Sequence, residues 1–181
     1  MSSQFFEQPV HIPLKAFRDN RGFFFESYNK KTLETLGIKN TFCQDNFSFS
    51  QHKGTIRGLH FQSPPFDQAK IVLPLQGSIF DVVIDIRKNS PTFLKVETFV
   101  LEANNPSCLY VPKGYAHGFC TLEDNVSVLY KVDQYYSPQH DGGIVWDDPQ
   151  FKIDWPLKGQ QPILSEKDGR LPLFNQQKLS F

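Results

Sequence analysis

The residues with most to offer chemically fall in one stretch, Arg57-Gly-Leu-His-Phe-Gln-Ser-Pro-Pro-Phe-Asp-Gln-Ala-Lys70, where an imidazole and two cations flank a Pro-Pro turn between apolar segments. An imidazole and an ammonium on neighbouring strands can take a proton from a carbon beside a carbonyl and hold the oxyanion that results. His60 suits the base role because an unperturbed imidazole, with a pKa of about 6.5, accepts a proton at neutral pH. A hydrogen-bonded structural histidine is the competing reading. Arg57 precedes His60 by three residues. On a regular strand the two would point to opposite faces, so a kink or bulge at Gly58 is required to turn both toward one ligand. Lys70 opens the apolar run Ile71-Val-Leu73. A surface lysine is ordinary there, whereas an inward ammonium needs an anionic partner and could steady an enolate.

Other candidates are more scattered. Tyr130 follows Val126-Ser-Val-Leu129 on an expected interior strand, where its phenol could pack or deliver a proton. Asp168, in Leu164-Ser-Glu-Lys-Asp168, looks like a surface acid by itself but could orient an imidazole if the fold brings one close. Arg21 and Glu26 around a Phe triplet, Gln44, Asn46, Arg57 and the Tyr135-Tyr136 pair could meet a nucleotide. The glycines form neither Gly-x-Gly-x-x-Gly nor Gly-x4-Gly-Lys-Ser/Thr, so a phosphate would be held by side chains such as a bidentate arginine, with an exposed tyrosine stacked on the base. The 19 basic and 19 acidic residues cancel without a Lys/Arg cluster, which argues against nucleic-acid binding and leaves room for a small anion.

These side chains must be positioned mainly by strands. One helix is expected over residues 29–36, with Leu33 and Leu36 on one face and Gly37 as its stop. Residues 22–28, 71–75, 79–86, 92–101 and 108–111 read as strands, with turn signals at Gln76-Gly77, Lys88-Asn-Ser-Pro91, Asn104-Asn-Pro106, Pro112-Lys-Gly114 and Glu123-Asp-Asn125. The class is therefore all-β. A jelly roll is favoured over a propeller because no blade-length repeat occurs, and no linker divides residues 1–181 into more than one domain. A chain of this size buries roughly 70% of the surface its unfolded form exposes. The 18 Phe are read mostly as core. Past Tyr136, turns and one short helix capped by Ser165 should wrap the barrel. Cys43, Cys108 and Cys120 are odd in number and lack Cys-x-x-Cys spacing, so buried reduced thiols are expected. With no signal-like or membrane-spanning run after Met1, the cytoplasm is the expected location.

Gly54-x5-His60 and Pro112-Lys-Gly-Tyr-Ala-His117 resemble the paired motifs of the cupin superfamily. Metal-binding cupins place a second histidine and a glutamate where this chain has Gln62 and Phe66, and two imidazoles alone rarely make a transition-metal site, so no metal is expected.

Asp19-Asn-Arg-Gly-Phe-Phe-Phe-Glu26, Gln44-Asp-Asn46, Arg57-Gly-Leu-His-Phe-Gln62, Gln68-Ala-Lys70, Asp81-Val-Val-Ile-Asp-Ile-Arg87, Tyr130-Lys131, Tyr135-Tyr136 and Leu164-Ser-Glu-Lys-Asp168 occur in order along nearly the whole chain. Through these blocks it closely resembles the dTDP-4-dehydrorhamnose 3,5-epimerases, the nucleotide-sugar epimerase branch of the cupins. The resemblance implies a dimeric, metal-free jelly roll that consumes no cofactor. It implies an enzyme that converts dTDP-4-dehydro-6-deoxy-D-glucose, a dTDP-linked 4-keto-6-deoxyhexose, to dTDP-4-dehydro-L-rhamnose. It assigns proton removal at C3 and C5 to His60, with Asp168 as dyad partner, enolate stabilisation to Lys70 and reprotonation from the opposite face to Tyr130. Arg21, Glu26, Gln44, Asn46, Arg57, His117 and Lys167 are implied contacts of the nucleotide sugar, some of them in a neighbouring subunit's pocket, and Tyr136 is implied to stack on thymine. Asp141 stands where many relatives carry Glu, and so is an implied contact with a side chain one methylene shorter. Phe47 stands where histidine is frequent, Phe93-Leu-Lys-Val replaces a common Phe-Gly-Lys-Trp, and one extra residue lies between Asn46 and Arg57. A relative inverting only one centre, or a sugar-nucleotide-binding cupin without catalysis, are the alternatives.

Overall fold

Strand order and side-chain alternation make a two-walled chamber from this sequence. The computed structural model describes residues 7–177 and Phe181; the opening residues 1–6, read above for a targeting segment, lie outside the described residues. Twelve strands are present among them: β1 (Val10–Pro13), β2 (Phe17–Asp19), β3 (Gly22–Phe24), β4 (Gln44–Ser50), β5 (Ile56–Gln62), β6 (Lys70–Gln76), β7 (Ser78–Asp85), β8 (Val96–Glu102), β9 (Ser107–Val111), β10 (Tyr115–Thr121), β11 (Val126–Val132) and β12 (Asp141–Gly143). One five-stranded antiparallel sheet runs β1-β9-β6-β11-β4 and the other β12-β5-β10-β7-β8, while β2 and β3 form a separate hairpin. The all-β jelly roll is as expected.

The walls are held together by aliphatic side chains from both. Val72, Leu109, Val126 and Val128 of the first sheet meet Ile79, Val83, Leu101 and Phe119 of the second in one buried cluster. Burying each such side chain stabilises the fold by about 1.5–3 kcal/mol. A second cluster packs Ile56, Leu59 and Ile84 under Ile144, Phe151 and Trp155, which fixes the C-terminal segment to the outer side of its sheet. Beyond the apolar zone the inward positions turn polar: β4 presents Gln44, Asn46, Ser48 and Ser50, while the alternate Phe47 and Phe49 stand outside and exposed.

The helix forms as expected. Asn29 caps α1 (Lys30–Thr35) by accepting from the Lys31 and Thr32 amides, and Leu33 is buried. Gly37, at φ 84°, turns the chain so that the Ile38 amide closes on the Leu33 carbonyl at 2.9 Å.

Several expectations need correction. The strand over residues 22–28 ends at Phe24, and its hairpin projects from the sheets with Phe17, Phe23 and Phe24 exposed. The strand expected from residue 92 begins at Val96, because Leu94 adopts φ 66° in the preceding turn. Cys43 is exposed, unlike the buried Cys108 and Cys120, since it flanks the edge strand on the outward side of the alternation; all three thiols are free. Beyond Tyr136 come β12 and two 3₁₀ turns, Asp168–Arg170 and Phe174–Gln176, instead of an α-helix. Ser165 still accepts from the Asp168 amide at 3.0 Å.

Candidate active site

A cavity of about 410 Å³ opens between the polar ends of the two sheets. Its walls carry different chemistry. The wall made by β5, β10 and β12 supplies Arg57, His60, His117 and Asp141, and the facing wall of β6 and β11 supplies Lys70 and Tyr130. Tyr136, Lys167 and Asp168 complete the lining from the loop before β12 and from the C-terminal segment.

The bulge required by Arg57 and His60 is present. His60 stands opposite His117, and Arg57 opposite Phe119, so three steps along β5 match two along β10. Gly58 carries the extra residue at φ 120°, and a Cβ there would lie 2.6 Å from the Gly118 Cα. Arg57 consequently turns to the cavity side, where its Nε donates to Ser50 Oγ at 3.0 Å and its Nη2 to the Phe49 carbonyl at 2.8 Å.

His60 Nε2 lies 2.7 Å from Asp168 Oδ1. Asp168 is no surface acid: it is 4% exposed. Burial alone would raise its pKa, but the His60 hydrogen bond and charge, the Gly58 amide and the Ser165 hydroxyl outweigh that and hold it below the usual carboxylate range. An ionised carboxylate only accepts, so Nε2 carries the proton and the free lone pair of the neutral ring is on Nδ1. An imidazole held by a carboxylate on one ring nitrogen and left with a lone pair on the other has the arrangement a general base requires.

Lys70 points inward. Only 8% exposed, its Nζ reaches the His60 carbonyl at 3.5 Å. Burial lowers its pKa to about 8, against the pull of Asp81 and Asp141. The group is thus mostly ammonium at neutral pH. Tyr130 both packs and faces the cavity; burial raises its pKa and Arg57 offsets part of the rise, so the phenol keeps its proton. At the mouth, Asp141 accepts from Tyr136 Oη at 3.1 Å and pairs with Lys167 Nζ. Tyr136 is itself exposed, with its ring available to a flat ligand.

Four expected contacts lie apart from this cavity. Arg21 sits on the tip of the exposed hairpin, paired with Asp19 at 2.6 Å, and Glu26 lines a separate groove beside α1. Gln44 and Asn46 follow one another along the inner face of β4 and bond to each other at 2.7 Å, without reaching the cavity wall. Two residues escaped the sequence reading. Ser48 lines the cavity, its buried hydroxyl lacking a partner among the described residues, and the signal for it is the alternation of polar residues from Gln44 to Ser50. Asp81 is wholly buried and lies 2.9 Å from His117 Nε2; an acid within the apolar run from Ile79 to Ile86 is its signature.

Gln62, which occupies the place of a metal-binding histidine in other cupins, instead braces a loop: its Nε2 donates to the Phe66 and Tyr135 carbonyls, and its Oε1 accepts from the Ser137 amide. The described residues contain no group of three or more His, Cys, Asp or Glu placed to hold a metal ion.

A family profile described as dTDP-4-dehydrorhamnose 3,5-epimerase matches residues 6–176. The dTDP-4-dehydrorhamnose 3,5-epimerase of Salmonella typhimurium is 49% identical over 167 residues, spanning 92% of this chain and 90% of that protein. The crystal structure of the Bacillus anthracis dTDP-4-dehydrorhamnose 3,5-epimerase, with TDP and PPi bound, has a TM-score of 0.88 at 53% identity, covering 91% of this chain and 93% of that one. The Legionella pneumophila dTDP-6-deoxy-D-glucose-3,5-epimerase, in complex with dTDP-4-keto-L-rhamnose, has a TM-score of 0.89 at 44% identity, covering 94% and 89%. A profile match along almost the whole chain, on a cupin-like jelly roll, settles the lineage: the chain belongs to the dTDP-4-dehydrorhamnose 3,5-epimerase family.

Proposed function

We propose that the cavity converts dTDP-4-dehydro-6-deoxy-D-glucose to dTDP-4-dehydro-L-rhamnose by inverting C3 and C5 through an enolate. His60 Nδ1 takes the proton from the carbon beside the C4 ketone, and Asp168 steadies the imidazolium. The electron pair moves onto O4, where the Lys70 ammonium meets charge that exists only after proton loss and so favours the transition state over the ketone. Tyr130 then delivers its proton to the opposite face of the carbon, and solvent exchange resets both groups. Proton transfer alone balances each inversion, so no step consumes a cofactor.

The observation that carries this reading is the division of labour between walls. The imidazole comes from β5 in one sheet and the phenol from β11 in the other, with a buried ammonium on β6 beside the phenol's strand. Base and acid on opposite faces invert a centre, whereas a single group on one face would only exchange its proton. Arg57, His117, Lys167 and Asp141 hold the nucleotide sugar and Tyr136 stacks on thymine, a substrate class in keeping with the dTDP-4-keto-L-rhamnose bound by the Legionella relative. The decisive experiment is turnover in deuterium oxide coupled to a ketoreductase. Deuterium at both C3 and C5 is expected; label at one carbon makes the protein a single-centre epimerase, and label at neither removes the catalytic reading.

The same proposal takes the protein as a cytoplasmic homodimer. Arg21 and Glu26 lie outside their own cavity, and Phe17, Phe24, Phe47 and Phe49 leave an apolar surface for a second copy. Among the described residues no helix is long and apolar enough to cross a membrane. Sedimentation at micromolar concentration should give twice the chain mass; a monomer with full activity refutes the dimer.

A further inference from the structure

We propose that Gln62 is a positioning residue for the nucleobase: its side-chain amide grips the backbone on both sides of Tyr136 and so sets the ring that stacks on thymine before any substrate arrives. This rests on the reading of Tyr136 as the stacking platform. Gln62 closes β5, the strand of His60, opposite Asp141 of β12, and is only 5% exposed. Its Nε2 donates to the Phe66 carbonyl at 2.6 Å and to the Tyr135 carbonyl at 3.2 Å, while its Oε1 accepts from the Ser137 amide at 2.7 Å. A glutamine Nε2 carries two hydrogens, so no donor remains for a ligand, and the group acts through what it holds.

What it holds is Tyr136. The Tyr135 carbonyl belongs to the peptide unit entering Tyr136 and the Ser137 amide to the one leaving it, so a single flat head fixes the two rigid units between which the soft φ and ψ of Tyr136 lie. The ring itself is exposed, with its hydroxyl donating to Asp141 at 3.1 Å. A ring on a free loop loses that freedom when a base stacks on it, and a backbone fixed beforehand removes this part of the cost of binding. The other bond of Nε2 anchors the clamp. Phe66 lies with its ring 4.5 Å from that of His140, centroid to centroid, and His140 Nδ1 in turn lies 2.8 Å from Ser137 Oγ. The Ser63 amide donates to the His140 carbonyl at 2.8 Å, so the loop before β12 is tied back to the chain just after β5. Two carbonyl oxygens and one amide hydrogen require two donors and one acceptor from one group. Glutamate would turn oxygen against both carbonyls, methionine would satisfy none of the three, and asparagine is one methylene short. Backbone groups robbed of their partners in a protected place are costly to leave unmet, so the loop would shift to find others and carry Tyr136 with it.

Gln62→Met keeps the length of the side chain and removes all three bonds. Calorimetric titration with dTDP, in a double-mutant cycle with Tyr136→Ala, measures whether the two residues act as one, and needs no turnover. Gln62→Met should raise the Kd for dTDP by about 5-fold or more with Tyr136 in place, the lower end of what a base stacked on an aromatic ring is worth. With Tyr136 replaced by alanine, the same change should raise it by less than about 2-fold. Equal losses in both backgrounds, or a lowered melting temperature with an unmoved Kd, would reduce Gln62 to a brace of the wall and overturn the proposal. The single variant Tyr136→Ala tests the reading beneath it. If that variant binds dTDP as the unaltered protein does, stacking is refuted and the proposal falls with it, whereas a weakened Tyr136→Ala beside an unweakened Gln62→Met defeats the proposal alone. If Gln62→Met does not fold, Gln62→Glu, matched in size, takes its place in the cycle with the same expected and overturning results.

Discussion

Two buried carboxylates, Asp85 and Asp168, separate a region that holds shape from the proposed catalytic site. Asp85, at the end of β7, accepts from the Arg87 amide at 3.0 Å, from Arg87 Nε at 2.9 Å and Nη2 at 2.7 Å, and from the hydroxyls of Ser90 and Thr92. Burial would raise its pKa, yet these donors bring it down to about 2. Arg87 in turn lies over the Tyr115 ring, 4.8 Å from its centroid. None of these donors changes charge near neutrality. Asp168 is almost as buried but shares its main bond with an imidazole, a group that can hand a proton on and take one up. A saturated carboxylate locks a turn, whereas one paired with such a ring leaves the pair able to respond to a substrate.

That contrast breaks if each region does not fail in its own way. The largest effect is expected from His60→Gln, which keeps an amide within reach of Asp168 but removes the base: kcat should fall by about 10²–10⁴-fold in a coupled reductase assay, with the urea midpoint almost unmoved. Next comes Asp85→Ala, which strips the partner from Arg87. A stability loss of about 3 kcal/mol in urea is expected, at the low end for a broken buried pair because Arg87 keeps some solvent contact, with turnover per folded molecule unchanged. Activity lost before stability in that variant would erase the distinction. Acid sharpens it. Because Asp85 is lowered in the fold from 3.8 to about 2, its stabilisation is complete above pH 4 and disappears as the pH drops toward 2. The urea midpoint of the unaltered protein should therefore fall more steeply across that window than that of Asp85→Asn. The smallest effect belongs to Tyr136→Phe, which retains the ring and loses the bond to Asp141: KM should rise by about 2–10-fold with kcat unchanged.

Local signals carried a good deal of this architecture. Asn29 and Gly37 bracket the helix, Gly77 turns β6 into β7, and the three-residue offset of Arg57 from His60 demands the distortion found at Gly58. Each is settled within a few residues by backbone geometry. What was hidden depends on distant chain. Asp168 reads as a surface acid until the C-terminal segment folds over β5, 108 residues from its histidine in sequence. The inward Lys70 has its pKa lowered by burial and raised by the charges of Asp81 and Asp141, and nothing beside Lys70 in sequence announces either acid. The exposed hairpin Phe residues mislead for the opposite reason, since their propensity for strand is honoured but no second sheet covers them.

The lateness of Asp168 has a consequence for the protein's manufacture. Among the described residues all strands of both sheets precede residue 144, while the acid that completes the His60 pair comes well after it, on a segment pinned by the Thr55–Ile163 bridge and the bond from the Val145 amide to the Pro172 carbonyl. Translation delivers the histidine long before its carboxylate. A nascent chain still attached to the ribosome, or one clipped by a protease ahead of Ser165, carries His60 without its Asp168 partner, so the pair forms only when synthesis has passed the segment that closes the barrel.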